Sequence, residues 1–128
     1  MNKGVVLDAS ALLALLNDEP GADAVRARLD DAMISAVNLS EVFAVLMAIG
    51  LAPEEARQTL ADLALPVVPF DEDQAFRAAR LRETTKALGL SLGDRACLAL
   101  GEARGGVVLT ADRAWGQADL SVEIALIR

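Results

Sequence analysis

Four acidic residues, Asp8, Glu41, Asp94 and Asp112, each stand where an apolar run ends or a helical one begins. Val5-Val6-Leu7 leads into Asp8-Ala9-Ser10 and an apolar run at helical spacing, the pattern of strand, turn and helix. Asn38-Leu39-Ser40-Glu41 and Ser91-Leu92-Gly93-Asp94 each open a long helical stretch, and Thr110-Ala111-Asp112 follows the apolar run Val107-Val108-Leu109. Taken singly, each acid has a structural explanation. Asp8 can cap its helix, Asn38 with Glu41 and Ser91 with Asp94 match capping boxes, and Asp112 can close an Asx-turn. Taken together they suggest more, because Glu41 is the only ionisable residue from Asn38 to Gly50. In a parallel sheet, strand C-termini and helix N-termini share one edge, the edge where ligands bind.

If the four converge, something must neutralise them. Two like charges at ~4 Å cost about 4 kcal/mol at an effective dielectric near 20, and several such pairs rival a domain stability of roughly 5–15 kcal/mol. Carboxylates without imidazole or thiolate suit hard, oxygen-loving Mg²⁺ or Mn²⁺. A metal site is the leading expectation.

The missing residue types narrow the chemistry. The chain has no histidine, which removes Ser-His-Asp and Cys-His catalysis and imidazole-based zinc sites. It has no tyrosine, no Cys-x-x-Cys pair and no Gly-x-x-x-x-Gly-Lys phosphate loop. Cys97 is the single cysteine, so no internal disulfide forms, and a reducing cytoplasm is expected. Asp8 interrupts the first apolar run, which therefore reads as neither a signal sequence nor a membrane span. A net charge of −7 argues against tracking along nucleic acid by electrostatics. It does not argue against cutting nucleic acid, since a bound cation reverses the local sign.

The elements that must position these acids follow from periodicity. A first helix runs to Leu16, and Ala22–Leu29 reads as a second, short one. Met33–Val37 reads as a buried strand and Asn38–Ile49 as a helix stopped by Gly50. Pro53 opens a helix to about Leu63, and Val67–Phe70 is a short strand whose Pro69 suits a sheet edge. Asp71 caps a helix running toward Gly89, and Ser91 begins another that Gly105-Gly106 stops. Strands at Val107–Leu109 and Val122–Ile127 complete the pattern. With 54% hydrophobic residues among 128, the chain is expected to form one domain over residues 1–128. The expected class is α/β: three α/β/α layers around a mostly parallel sheet of about five strands.

Four stretches in this order carry a resemblance: Val6-Leu7-Asp8-Ala9-Ser10, Asn38-Leu39-Ser40-Glu41-Val42, Leu90-Ser91-Leu92-Gly93-Asp94 and Leu109-Thr110-Ala111-Asp112-Arg113-Ala114-Trp115. Over essentially its whole length the chain resembles a PIN-domain ribonuclease, and more narrowly a VapC-type toxin of a type II toxin–antitoxin pair. The resemblance implies Asp8, Glu41, Asp94 and Asp112 as ligands of Mg²⁺ or Mn²⁺ and as the catalytic acids. It implies hydrolysis of RNA phosphodiesters to a 5′-phosphate and a 3′-hydroxyl, a homodimer, and inhibition by a cognate VapB-like antitoxin. Ser10 and Thr110 are candidates to orient water or a phosphate oxygen, against simple bonding to nearby backbone. Arg95 and Arg113 are candidate RNA contacts, against pairing with a neighbouring acid or plain exposure. Asp119 is a possible further acid, Trp115 is expected in the core, and Cys97 is expected to be a small buried side chain.

Other readings remain open. A receiver-type phosphoacceptor domain would need an acid pair after the first strand and a lysine near the end of the last, but the only lysines are Lys3 and Lys86. A haloacid-dehalogenase-type phosphatase would need Asp-x-Asp, where Asp8-Ala9-Ser10 has one acid. A PIN-like module that binds without cutting is the third.

Overall fold

A strand pattern that is apolar at every position has to be covered on both faces, and Val5, Val6 and Leu7 are all fully buried. The computed structural model describes residues 4–104, 106–117 and 120–128. In chain order the elements are β1 (Val5–Leu7), α1 (Ala9–Leu16), α2 (Ala22–Arg26), β2 (Ala32–Ser35), α3 (Ala36–Ala48), α4 (Pro53–Leu63), β3 (Val67–Val68), α5 (Glu72–Thr85), α6 (Leu92–Arg104), β4 (Val107–Thr110) and β5 (Glu123–Leu126). Turns of 3₁₀ helix occupy Leu29–Asp31, Lys86–Leu88 and Arg113–Gln117. The five strands are ordered β3-β2-β1-β4-β5 and every pairing is parallel. Leu7 lies in register with Ile34 on one side and Leu109 on the other.

Successive strand residues point to opposite faces, and the core divides accordingly. Val5, Leu7, Ile34 and Leu109 pack with Leu12, Val25, Val42, Leu46 and Leu60 from α1 to α4. Val6 and Val108 pack with Ala78 and Leu81 of α5, with Cys97 to Leu100 of α6, and with Trp115. The result is three layers, α/β/α. At the N-terminal side of the sheet β1 and β4 approach so closely that a Cβ on Gly106 would lie 2.1 Å from the carbonyl oxygen of Gly4. Only glycine fits there.

Several boundaries differ from the sequence expectation. The helix expected from Asn38 begins at Ala36, because Ser35 at the end of β2 caps it, accepting from the Val37 amide at 3.2 Å. Asn38 is therefore inside the first turn and is not a cap. The second helix ends at Arg26, and the rest of Ala22–Leu29 is loop and 3₁₀ turn. β3 has two residues, since Pro69 cannot continue a ladder, and it does lie at the sheet edge. The helix capped by Asp71 gives way to 3₁₀ geometry after Thr85. Gly105, half of the expected helix stop, lies outside the described residues.

Candidate active site

Strand order reverses at β1: β2 and β3 extend to one side, β4 and β5 to the other. Such a switch point leaves a crevice outside the C-terminal ends of the two central strands. Asp8 follows β1 directly, and Asp112 stands two residues past β4.

Asp8 is 95% buried, so every lone pair needs a partner. It caps α1 by accepting from the Ala11 amide at 2.8 Å, and the same Oδ1 accepts from Ser10 Oγ at 2.7 Å. Its Oδ2 accepts from Thr110 Oγ1 at 2.5 Å. Each of these hydroxyls donates its one proton to Asp8 and accepts a backbone amide in return. Ser10 takes the Ala111 amide at 2.9 Å and Thr110 takes the Asp112 amide at 3.0 Å. Ser10 and Thr110 thus hold the first acid and tie it to the loop carrying the fourth. Burial pushes the Asp8 carboxyl above its ordinary pKa; the three bonds oppose this and the nearby Asp94 charge adds to it.

Asp94 is fixed by a reciprocal box. Its amide donates to Ser91 Oγ at 3.1 Å, and its Oδ2 accepts from the Ser91 amide at 3.0 Å. Glu41, one turn inside α3, is exposed, yet its Oε1 accepts from Asn38 Nδ2 at 2.9 Å. Its carboxylate lies over the Cα of Gly93, the residue before Asp94. Asp8, Asp94 and Glu41 all act on the thiol of Cys97, whose pKa burial and these charges push well up. Glu41 and Asp94 therefore stand together at the start of α6, and the Asp94 charge is felt at Asp8.

Asp112 joins less directly. Its amide is bound to Thr110, while its exposed carboxylate accepts from the Ala114 amide at 3.0 Å and so closes the turn Arg113–Gln117. Among the described residues no three His, Cys, Asp or Glu side chains are arranged to hold a metal ion. The acids share an edge without closing into a ligand cage. Their donor set is nonetheless all oxygen, and the Asp94 charge that adds to the burial-driven rise of the Asp8 pKa is a repulsion a divalent cation would relieve. In chemistry the residues fit a hard cation.

Arg95 turns into the seam between α5 and α6, where Nη1 donates to the Ala78 carbonyl at 2.9 Å and Nε is buried without a partner among the described residues. Arg113 is exposed next to Asp112. Trp115 is 99% buried and Cys97 fully so, both in the α5–α6 core. Asp119 lies outside the described residues. A cavity of about 640 Å³ lies elsewhere: Gly106, Val107 and Glu123 place it at the N-terminal ends of β4 and β5. Sequence reasoning missed the contact of Asn38 and Gly93 with Glu41. The available signal was one buried-type amide in a helix otherwise apolar around it, three residues before its acid.

A family model described as PIN domain matches residues 5–120. No curated protein matches the chain significantly. Similar solved structures include a DNA-bound VapBC from Salmonella typhimurium, with 19% identity and TM-score 0.76 over 99% of this chain and 100% of that one. A toxin–antitoxin complex from Klebsiella pneumoniae is 22% identical, with TM-score 0.71, over 85% of this chain and 87% of that one. A VapBC-5 structure from Mycobacterium tuberculosis is 25% identical, with TM-score 0.62, over 99% of both chains.

Proposed function

This chain belongs to the PIN-domain family, and from that premise we propose that it is a Mg²⁺- or Mn²⁺-dependent endoribonuclease, the VapC-type toxin of a type II toxin–antitoxin pair. The observation that carries the reading is the Glu41 carboxylate lying against the start of α6 beside Asp94, with Asp8 and Asp112 joined in one network through Thr110. The solved toxin–antitoxin complexes that share the fold support the biological assignment.

In this reading Asp8, Glu41, Asp94 and Asp112 hold the cation. When bound, it supplies water activation and positive charge against an RNA phosphate. The protein's own part is to aim the acids. Asp8 is locked by Ser10 and Thr110, Asp94 is locked by Ser91, and the α1 and α6 N-termini favour negative charge at both. Arg113 is the exposed cation next to the site and is assigned to RNA phosphate, while Arg95 is engaged by the Ala78 carbonyl.

The proposed partner is a VapB-like antitoxin that directs a basic side chain into this electronegative edge. The proposed homodimer uses part of the apolar α3 segment, where Val45, Met47 and Ile49 are exposed. Among the described residues no helix is long and apolar enough to cross a membrane, and the proposed location is the cytoplasm.

The capping roles of Asp8, Asp94 and Asp112 favour one rival, a PIN module that binds RNA without cutting it. Digestion of transfer and ribosomal RNA separates the two. The nuclease cuts with Mg²⁺ or Mn²⁺, stops with EDTA, and is inactive as Asp94→Asn with its fold intact. Intact RNA under all conditions would leave the binding module.

A further inference from the structure

Resting on the reading above, we propose that Asn38 and Gly93 are positioning residues that set the carboxylate of Glu41 against Asp94. Glu41 is an exposed, flexible side chain on α3, whereas Asp94 belongs to α6. An unrestrained glutamate would lose considerable rotamer freedom on ligating a cation. The structure supplies the restraint from two sides.

Asn38 is 99% buried, and its Nδ2 donates at once to Glu41 Oε1 at 2.9 Å and to the Gly93 carbonyl at 3.0 Å. These partners fix the amide orientation, because a flipped side chain would set Oδ1 against two further oxygens. One NH₂ group therefore spans α3 and α6. On the α6 side a Cβ at position 93 would lie 2.4 Å from Glu41 Oε2 and 2.7 Å from both Cδ and Oε1. Its three nearest neighbours are all atoms of that carboxylate. No left-handed backbone requires glycine at 93, so what its bare Cα provides is room.

The two restraints make separate, testable demands. Mn²⁺ binding is measured by calorimetry on the RNA-free chain for wild type, Asn38→Ala, Gly93→Ala, Glu41→Gln and the double variant Asn38→Ala/Glu41→Gln, each with a thermal melt. Loss of a side chain that orients a ligand weakens metal binding about ten-fold, and this is the expected effect of Asn38→Ala. If Asn38 works through Glu41, the same change costs less than roughly two-fold once Glu41 is already Gln. Gly93→Ala lowers Mn²⁺ affinity without lowering the melting temperature, because alanine suits a helix and the displaced carboxylate is the exposed end of its side chain, free to turn into solvent. An equal loss in both Glu41 backgrounds, or no loss in either single variant, overturns the proposal.

Side-chain NMR of Glu41 in the metal-free protein keeps the two readings distinct. Order in wild type that is lost in Asn38→Ala and in Gly93→Ala upholds the positioning even if the wild-type chain fails to bind Mn²⁺, a result that would sink the nuclease alone. A Glu41 side chain already mobile in wild type sinks the positioning.

Discussion

Thr110 donates its hydroxyl to Oδ2 of Asp8 at 2.5 Å, joining the C-terminal ends of β4 and β1 across 102 positions of sequence. Both residues are buried. Thr110→Val keeps the shape and removes the donor, leaving half of a buried carboxylate unpartnered. The expected loss is about 1–3 kcal/mol in urea unfolding at neutral pH, with Thr110→Ser retaining most of the stability. The Asp8 pKa rises further, because this bond is the strongest influence holding it down. Equal stability of the Val and wild-type chains would show the bond to be incidental.

Asp8 also makes the metal-free fold sensitive to pH. Its folded pKa is raised, chiefly by burial, so the native chain holds this proton more tightly than the unfolded chain does. The linked stability is fully present below the unfolded pKa, near 4, and is lost as pH rises through the folded pKa. In EDTA, Asp8→Asn removes this contribution, so its stability declines less than that of wild type across that rise. Denaturant midpoints measured at a series of pH values check it; parallel curves would exclude Asp8 as the source.

A cation that relieves the acids must bind the native state in preference to the unfolded one. At a hundred times its dissociation constant it adds about 2.7 kcal/mol. Melting curves with MnCl₂ or MgCl₂ against EDTA are expected to show that upward shift in wild type and much less of it in Asp94→Asn. Melts indifferent to both metals would contradict the metal reading.

The two arginines should separate in kinetics. Arg113→Ala is expected to raise KM for RNA about ten-fold, the effect of one lost charge-assisted contact. Arg95→Met leaves KM alone and lowers stability by about 1–3 kcal/mol, because the Ala78 carbonyl loses its donor. The reverse pattern would assign RNA binding to Arg95.

Much of this arrangement was legible before any coordinates. The runs ending at Leu7 and Leu109 announced central strands, and Ser91 with Asp94 announced a helix start that the structure completes in both directions. Asn38 was misjudged because S/T/N-x-x-E marks a cap only where a helix begins, and Ser35 had already begun it. No local rule could disclose that Asn38 meets a carbonyl 55 residues away, or that Gly93 is small for the sake of another helix's side chain. Ser10 and Thr110 were recognised as hydroxyls near the acids, but their joint hold on Asp8 depends on the pairing of β1 with β4.

Cys97 is the chain's one thiol, and it lies sealed in α6 three residues past Asp94. Alkylating reagents need both access and thiolate, and in the native protein it offers neither. Its labelling rate in native buffer therefore acts as a clock for excursions that open α6, counted without any attached dye or probe. That clock should slow when the neighbouring acids are neutralised by a bound cation, since the same helix then has one more reason to stay shut.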